Sequence, residues 1–100
     1  MLVYKVFAKP DYDSFVSTGK TKGSGDDLKD GFIHFSTREQ LCGTIKKHFS
    51  NYNLLFVSAF QEYHLSSKLK WELSTNLKLF PHYYGCLWNS QTLYSIQLKL

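Results

Sequence analysis

Side chains able to do acid–base chemistry gather in two short stretches, Asp30-Gly31-Phe32-Ile33-His34-Phe35-Ser36 and Phe80-Pro81-His82-Tyr83-Tyr84-Gly85, with Glu72 in the segment between them. Imidazole, with an ordinary pKa near 6.5, is suited to giving and taking protons at neutral pH. A carboxylate can orient it or stabilise developing positive charge. His34, Glu72 and His82 are therefore the candidate catalytic residues, provided the fold brings them into one cleft with a tyrosine hydroxyl such as that of Tyr83. In a strand, alternation sends Phe32, His34 and Ser36 to one side and Ile33 and Phe35 to the other. Ser36-Thr37-Arg38-Glu39 has the spacing of a capping box, which predicts a helix starting directly after His34 and makes Ser36 and Thr37 candidate anion contacts at its N-terminus. The amides of Gly23-Ser24-Gly25 are a further candidate for holding phosphate, with Ser24 at their centre, although this is not a Walker loop. A metal bound by His34, His82 and Glu72 would need recognisable ligand spacing, which is absent, so no metal is expected.

The elements that must position these groups are readable in outline. Leu2-Val3-Tyr4-Lys5-Val6-Phe7 is rich in strand formers. Pro10, Asp11 and Asp13 suit a helix start, Tyr12, Phe15 and Val16 have helical spacing, and Gly19 can close the turn. Lys20 to Gly31 carries only one apolar residue, Leu28, and is expected to be a long loop of the kind that often binds ligands. From Thr37 to about His48 the spacing of Leu41, Cys42, Ile45 and Phe49 predicts a second amphipathic helix with Cys42 on its buried side. Leu54 to Phe60 is almost continuously apolar, as expected of a strand covered on both faces at the centre of a sheet. Leu69 to Leu73 reads as a short strand with Lys70 and Glu72 opposite Trp71. Pro81 lacks an N–H and restricts Phe80, which predicts an extended or turning loop over Phe80 to Gly85. Thr92 to Leu100 alternates, predicting Tyr94, Ile96, Leu98 and Leu100 inward.

One hundred residues suffice for a single domain, which would bury roughly 60–70% of its unfolded surface. With 43% hydrophobic and 17% aromatic residues, disorder is excluded. A net charge of +4 from scattered lysines suits a small anionic ligand and not duplex nucleic acid, which wants a basic stripe. The longest apolar run is too short to cross a bilayer. Two cysteines far apart, with no leader ahead of the first strand, fit a cytoplasmic protein, and a monomer is expected.

Tyr4-Lys5-Val6, Gly23-Ser24 with Asp27, Asp30 to Thr37, Gln40, Trp71-Glu72 and Phe80 to Gly85, in that order, resemble the small proteins of the domain of unknown function 952 family, from about Leu2 to Leu100. The aliphatic residues usual at positions 35 and 83 are aromatic here. A glutathione transferase label borne by some members does not suit so short a chain. The resemblance implies one α+β domain over residues 1–100, with mixed, mostly antiparallel sheets and two main helices, similar to the ADP-ribosylation fold. It also implies a distant similarity to ADP-ribosyltransferases and RNA 2′-phosphotransferases, hence an NAD- or nucleotide-utilising transferase. From the phosphotransferase strand only His34 and Ser36 carry over. The first strand offers Tyr4 and Lys5 where such enzymes have His or Arg, and Thr92 to Leu100 contains no Glu. On this reading NAD is the candidate cofactor, Ser24, Ser36, Thr37 and Tyr83 bind it, and His34, Glu72 and His82 act on it. The alternative is a nucleotide- or small-ligand-binding module without catalysis, in which His34 and Glu72 form a structural pair.

Overall fold

The strand Leu54–Gln61 (β4) lies at the centre of a three-stranded antiparallel sheet, between β1 (Leu2–Ala8) and β8 (Thr92–Lys99). Its near-continuous apolar sequence follows from that position, since both of its faces are covered. The structure, a computed structural model, describes residues 1–74 and 76–100. Between β1 and β4 the chain forms α1 (Lys9–Thr18), β2 (Lys20–Thr21), α2 (Asp26–Asp30), β3 (Ile33–His34) and α3 (Leu41–His48). After β4 come α4 (Glu62–Leu65), β5 (Leu69–Leu73), β6 (Leu79–Tyr83), β7 (Leu87–Trp88) and a 3-10 turn at Asn89–Gln91 that leads into β8. A second antiparallel sheet has the order β3-β6-β5, and β2 pairs with β7. The architecture is α+β, and among the described residues no helix is long and apolar enough to cross a membrane.

Pro81 explains how the two larger sheets meet. Register pairs Ile33 with Tyr83 and His34 with His82, and the Phe35 N–H then donates to the Pro81 carbonyl at 3.0 Å. The reciprocal bond would need an N–H that proline lacks, so the ladder stops and β3 ends after His34. The freed chain crosses to β1, where Tyr4 and Ser36 exchange backbone bonds of 2.8 and 2.9 Å. Phe80 to Gly85, expected to be a loop, is thus extended and for the most part strand.

The main core, built from Val3, Phe7, Phe15, Ile33, Phe35, Phe60, Leu65, Tyr83 and Leu87, fills the space between the sheets and α1. A smaller cluster, Val6, Leu55 and Val57, packs under Leu41 and Ile45 of α3 and Phe49 at its C-terminal cap. Two expectations fail here for one geometric reason. Helix α3 begins at Leu41 and aims its 41/45/49 stripe at the β1–β4 half of the sheet, one residue step (about 100°) away from Cys42. Cys42 is therefore exposed, and Leu98 alone of the alternating β8 residues reaches the cluster, while Tyr94, Ile96 and Leu100 stay about half exposed.

Candidate functional site

The long Gly- and Ser-rich segment is not structureless. It folds into α2, which carries Asp27 to the inner side of β1. Gly23 makes this possible: its φ is +101°, and a Cβ there would collide with the Asp27 side chain. Asp27 is nearly fully buried, and four donors or partners converge on its carboxylate. Lys5 Nζ, itself buried, donates to Oδ2 at 2.6 Å, and the Ser24 N–H donates to the same oxygen at 3.3 Å. The His34 N–H donates to Oδ1 at 3.0 Å, and His34 Nδ1 lies 2.6 Å from it. Burial pushes the Asp27 carboxyl up, but the His34 hydrogen bond and the Lys5 charge prevail and hold it at about 2. It is ionised at neutral pH.

Across the β3–β6 ladder His82 lies directly opposite His34, so both rings project from the same face of the sheet, 5.5 Å apart between centroids and edge to face. Phe32 packs on both, with centroids 4.0 Å from His82 and 4.6 Å from His34. His82 Nδ1 is 2.8 Å from Glu72 Oε1, and the Tyr84 hydroxyl donates to that oxygen at 2.6 Å. These two hydrogen bonds, Tyr84 first, hold the Glu72 carboxyl below its usual range, and the bond to Glu72 raises the Tyr84 phenol. Each histidine is thus held at Nδ1 by an ionised carboxylate, which fixes the tautomer and leaves Nε2 as the second ring nitrogen, in a His82 side chain that is itself buried. The Nε2 of His34 lies 3.1 Å from the half-exposed Asp30 carboxylate.

The histidines open into a cleft of about 980 Å³ whose walls include Lys5, Ser24, Asp27, Phe32, Ser36, Thr44, Lys47, His48, Phe49, Tyr52, Lys78 and Phe80. His34, His82, Ser24 and Ser36 line it, whereas Glu72 stands behind His82, and neither Thr37 nor Tyr83 is among the lining residues. Tyr83 belongs to the core, with its hydroxyl 3.4 Å from the Cys86 carbonyl. The capping spacing is used differently from expectation. Thr37 and Gln40 bond reciprocally, with Thr37 N–H to Gln40 Oε1 at 3.0 Å and Gln40 N–H to Thr37 Oγ1 at 3.2 Å, in a turn that delays the helix to Leu41. Ser36 Oγ instead lies 2.7 Å from Thr44 Oγ1 on α3. No helix N-terminus therefore stands directly behind His34. The pairing expected between His34 and Glu72 is replaced by two separate pairs, His34 with Asp27 and His82 with Glu72. Asp27 and Lys5 were not among the expected site residues. A lone lysine amid the strand-forming residues of β1 was the available signal, because a charge buried in a sheet needs a partner.

Fold and site together define a small α+β protein built around two carboxylate-held histidines on one sheet face. The chain belongs to the family described as protein of unknown function (DUF952), whose family model matches residues 6–94. It is similar to protein CC0527 from Caulobacter crescentus, whose crystal structure is 36% identical, has a TM-score of 0.94, and is matched over 100% of this chain and 88% of that one. A crystal structure of a double mutant of CC0527 gives 35% identity over the same shares with a TM-score of 0.94. Its solution NMR structure gives 36% identity, coverage of 99% and 85%, and a TM-score of 0.88. No curated protein matches the chain.

Proposed function

We propose that this protein is a nucleotide-utilising transferase whose cleft takes a phosphorylated nucleotide and whose proton transfers run through His34 and His82. The observation that carries this reading is the facing pair of imidazoles, each anchored at Nδ1 by its own carboxylate. Anchoring leaves Nε2 as the nitrogen that exchanges protons, at His34 in competition with the Asp30 carboxylate 3.1 Å away, and two such nitrogens on one sheet face suit a reaction that takes a proton from one oxygen and gives one to another. The cleft volume lies at the upper end of small-molecule sites, and its walls carry Lys47 and Lys78, with Lys5 paired to Asp27, beside the carboxylates of Asp11, Asp26, Asp30 and Glu39, so a phosphate on this reading is met by individual lysines and not by a basic wall. The relationship to the ADP-ribosylation fold is part of this proposal, supported by two antiparallel sheets flanking the cleft.

NAD itself fits less well than a phosphorylated nucleotide in general. The Ser24 amide, expected to meet phosphate, is taken by Asp27, and Glu72, expected to stabilise an oxocarbenium, is committed to His82 and Tyr84 behind the wall. The second reading, a binding module without turnover, is favoured by the closed Lys5–Asp27–His34 network, in which His34 has a structural partner irrespective of any ligand.

The test is thermal unfolding of the parent and of His34→Asn with NAD, ADP-ribose, ADP, ATP, glutathione and a 2′-phosphorylated dinucleotide. Asparagine can present an amide N–H near the Nδ1 position, keeping the bond to Asp27 while removing Nε2. A ligand at 100 times its Kd stabilises by about 2.7 kcal/mol, which for this size raises Tm by on the order of 10 °C. A shift with a nucleotide, reduced in His34→Asn, supports the proposal, and its turnover is then assayed. No shift with any nucleotide refutes the nucleotide cleft. A shift of equal size in both proteins, without turnover, leaves the binding module as the answer.

A further inference from the structure

We propose that this protein pairs with a second copy of itself along the free edge of β8, so that the two three-stranded sheets join across a two-fold axis at Ile96 into one antiparallel sheet. No residue of β8 lines the cleft, so this contact stands apart from the nucleotide reading. β8 is an outer strand of the sheet β1-β4-β8. The other outer strand, β1, is bridged by Ser36 through its backbone bonds with Tyr4, whereas among the described residues nothing bridges β8 in this way. Edges that stay single in natural proteins are usually short, or broken by charges, proline or bulges. β8 runs eight residues, from Thr92 to Lys99, as long as the central strand β4. Its bulge lies near its start, opposite Ala59 and Phe60, its one charge is Lys99 at its end, and it contains no proline.

Backbone parity shows what this edge offers. The Leu100 N–H donates to the Asn53 carbonyl at 2.9 Å, one step beyond the pairing of Lys99 with Leu54. Bonded pairs alternate along an antiparallel ladder, so Tyr94, Ile96 and Leu98 direct their N–H and C=O groups to β4, and those of Ser95, Gln97 and Lys99 point away from it. Among the described residues these outward groups have no partner. A second β8 running antiparallel supplies them with partners, the usual way in which a sheet edge is extended. With the axis at Ile96, Ser95 pairs with Gln97 of the second copy, Gln97 with Ser95 of the second copy, and Lys99 comes opposite Leu93. That register overlaps the two strands over nearly their whole length. It also keeps the two Lys99 ammonium groups at opposite ends of the ladder.

The side chains beside the edge fit the same partner. Helix α3 covers the β1–β4 half of one sheet face and leaves the β8 half bare. Tyr94, Ile96 and Leu100 on that face are 45%, 50% and 57% exposed, and the neighbouring Leu93 is 56% exposed. Across the axis Ile96 meets its own counterpart in a non-hydrogen-bonded pair, where side chains approach most closely, and Tyr94 meets Leu98. Half-exposed side chains of this size present roughly 100 Å² each, or about 400 Å² per copy, which is half of the ~800 Å² per partner of a standard interface. The backbone edge, Gln97 and Lys99 add to that area. A two-fold contact needs a surface complementary to itself, and an antiparallel edge with one apolar residue on the axis is such a surface.

The experiment is analytical ultracentrifugation of the parent, Ile96→Lys and Gln97→Pro from about 1 µM to about 1 mM, with far-UV circular dichroism confirming that each variant is folded. Ile96→Lys sets like charges against each other on the axis, and Gln97→Pro removes an outward N–H while leaving every bond to β4 intact. The expected result is a monomer–dimer equilibrium in the parent, with the dissociation constant raised at least about tenfold in each variant. A parent that stays monomeric over the whole range overturns the proposal and leaves the edge to a strand of another protein. A dimer of parental strength in either folded variant places the contact elsewhere and also overturns it. Should a variant fail to fold, cysteine cross-linking decides. Ile96→Cys, about 4.5 Å between Cα atoms across the axis, should form a disulfide-linked dimer on mild oxidation, and Tyr94→Cys, offset from its counterpart, should not. Mass spectrometry of the linked peptide separates this bond from any made by Cys42 or Cys86. No cross-link at position 96, or equal cross-linking at both positions, overturns the proposed register and with it the proposal.

Discussion

Replacing Asp27 by Asn should cost stability at neutral pH and cost progressively less as the pH falls. Asparagine has nearly the same shape but no charge, so Lys5 becomes a buried cation without a counter-ion and one of the donors now converging on Asp27 meets an N–H. Breaking a buried pair from one side typically costs about 3–5 kcal/mol. The pH dependence gives an independent check. A fall of the Asp27 carboxyl from its ordinary 3.8 to about 2 corresponds to a contribution of roughly 2 kcal/mol. Because the folded value is depressed, that contribution is fully present above pH 4 and is lost as the pH falls towards 2. Protonated Asp27 then resembles Asn. Urea denaturation of both proteins at a series of pH values from 7 to 2.5 measures the gap between them, and the other carboxylates cancel because both proteins carry them. The gap should narrow by about 1.4 kcal/mol between pH 4 and pH 2.5, on the linkage given above, the remainder being lost below the series. A gap of constant size across the series would refute the claim that Asp27 is ionised and stabilised by Lys5 and His34. A gap under 1 kcal/mol at pH 7 would refute its role as the hub of the network.

Three further outcomes follow from particular contacts. Gly23→Ala places a Cβ against Asp27 at a positive φ and should lower stability by at least about 1 kcal/mol, read as a Tm fall of several degrees. Gly43→Ala fills only open space and removes a helical glycine, so Tm should rise, by up to about 1 kcal/mol of stabilisation in the same measurement. Tyr84→Phe removes the strongest hydrogen bond to Glu72, and the Glu72 carboxyl pKa, followed by NMR titration, should move upward towards its ordinary value; a downward move would contradict the assigned cause.

What the sequence made legible was whatever rests on periodicity or on a residue with a fixed backbone requirement. The β4 run, the Pro10-to-Gly19 helix and the alternation of Ile33 and Phe35 against His34 all appear in the structure, because each depends on burial of one face or on one special φ. The site was legible only where it lay on such elements. Glu72 and His82 lie on strands whose alternation is readable, but their partnership depends on the β5–β6 register, which brings Glu72 opposite Phe80 and diagonal to His82. No pattern within either strand encodes that register. Asp27 was hidden for another reason. It lies in a five-residue helix too short to show a period, in a segment whose composition suits an exposed loop. The capping spacing at Ser36 was present but used by a different pair, Thr37 and Gln40, because Ser36 is drawn away by its backbone bonds to Tyr4 and its hydroxyl contact with Thr44.

The same crossing couples architecture to chemistry. If β3 continued along β6 past His34, Ser36 would stay in the second sheet and β1 would lose its bridge to that strand. Lys5, next to Tyr4 on β1, reaches Asp27 because that bridge draws β1 alongside the end of β3, and Asp27 in turn holds His34 in place. Pro81 ends the ladder at the one point where this becomes possible, one residue before His82 on the same strand. A single missing N–H thus accounts for a histidine that faces another histidine on one side and, on the other, rests on a carboxylate supported from the neighbouring sheet.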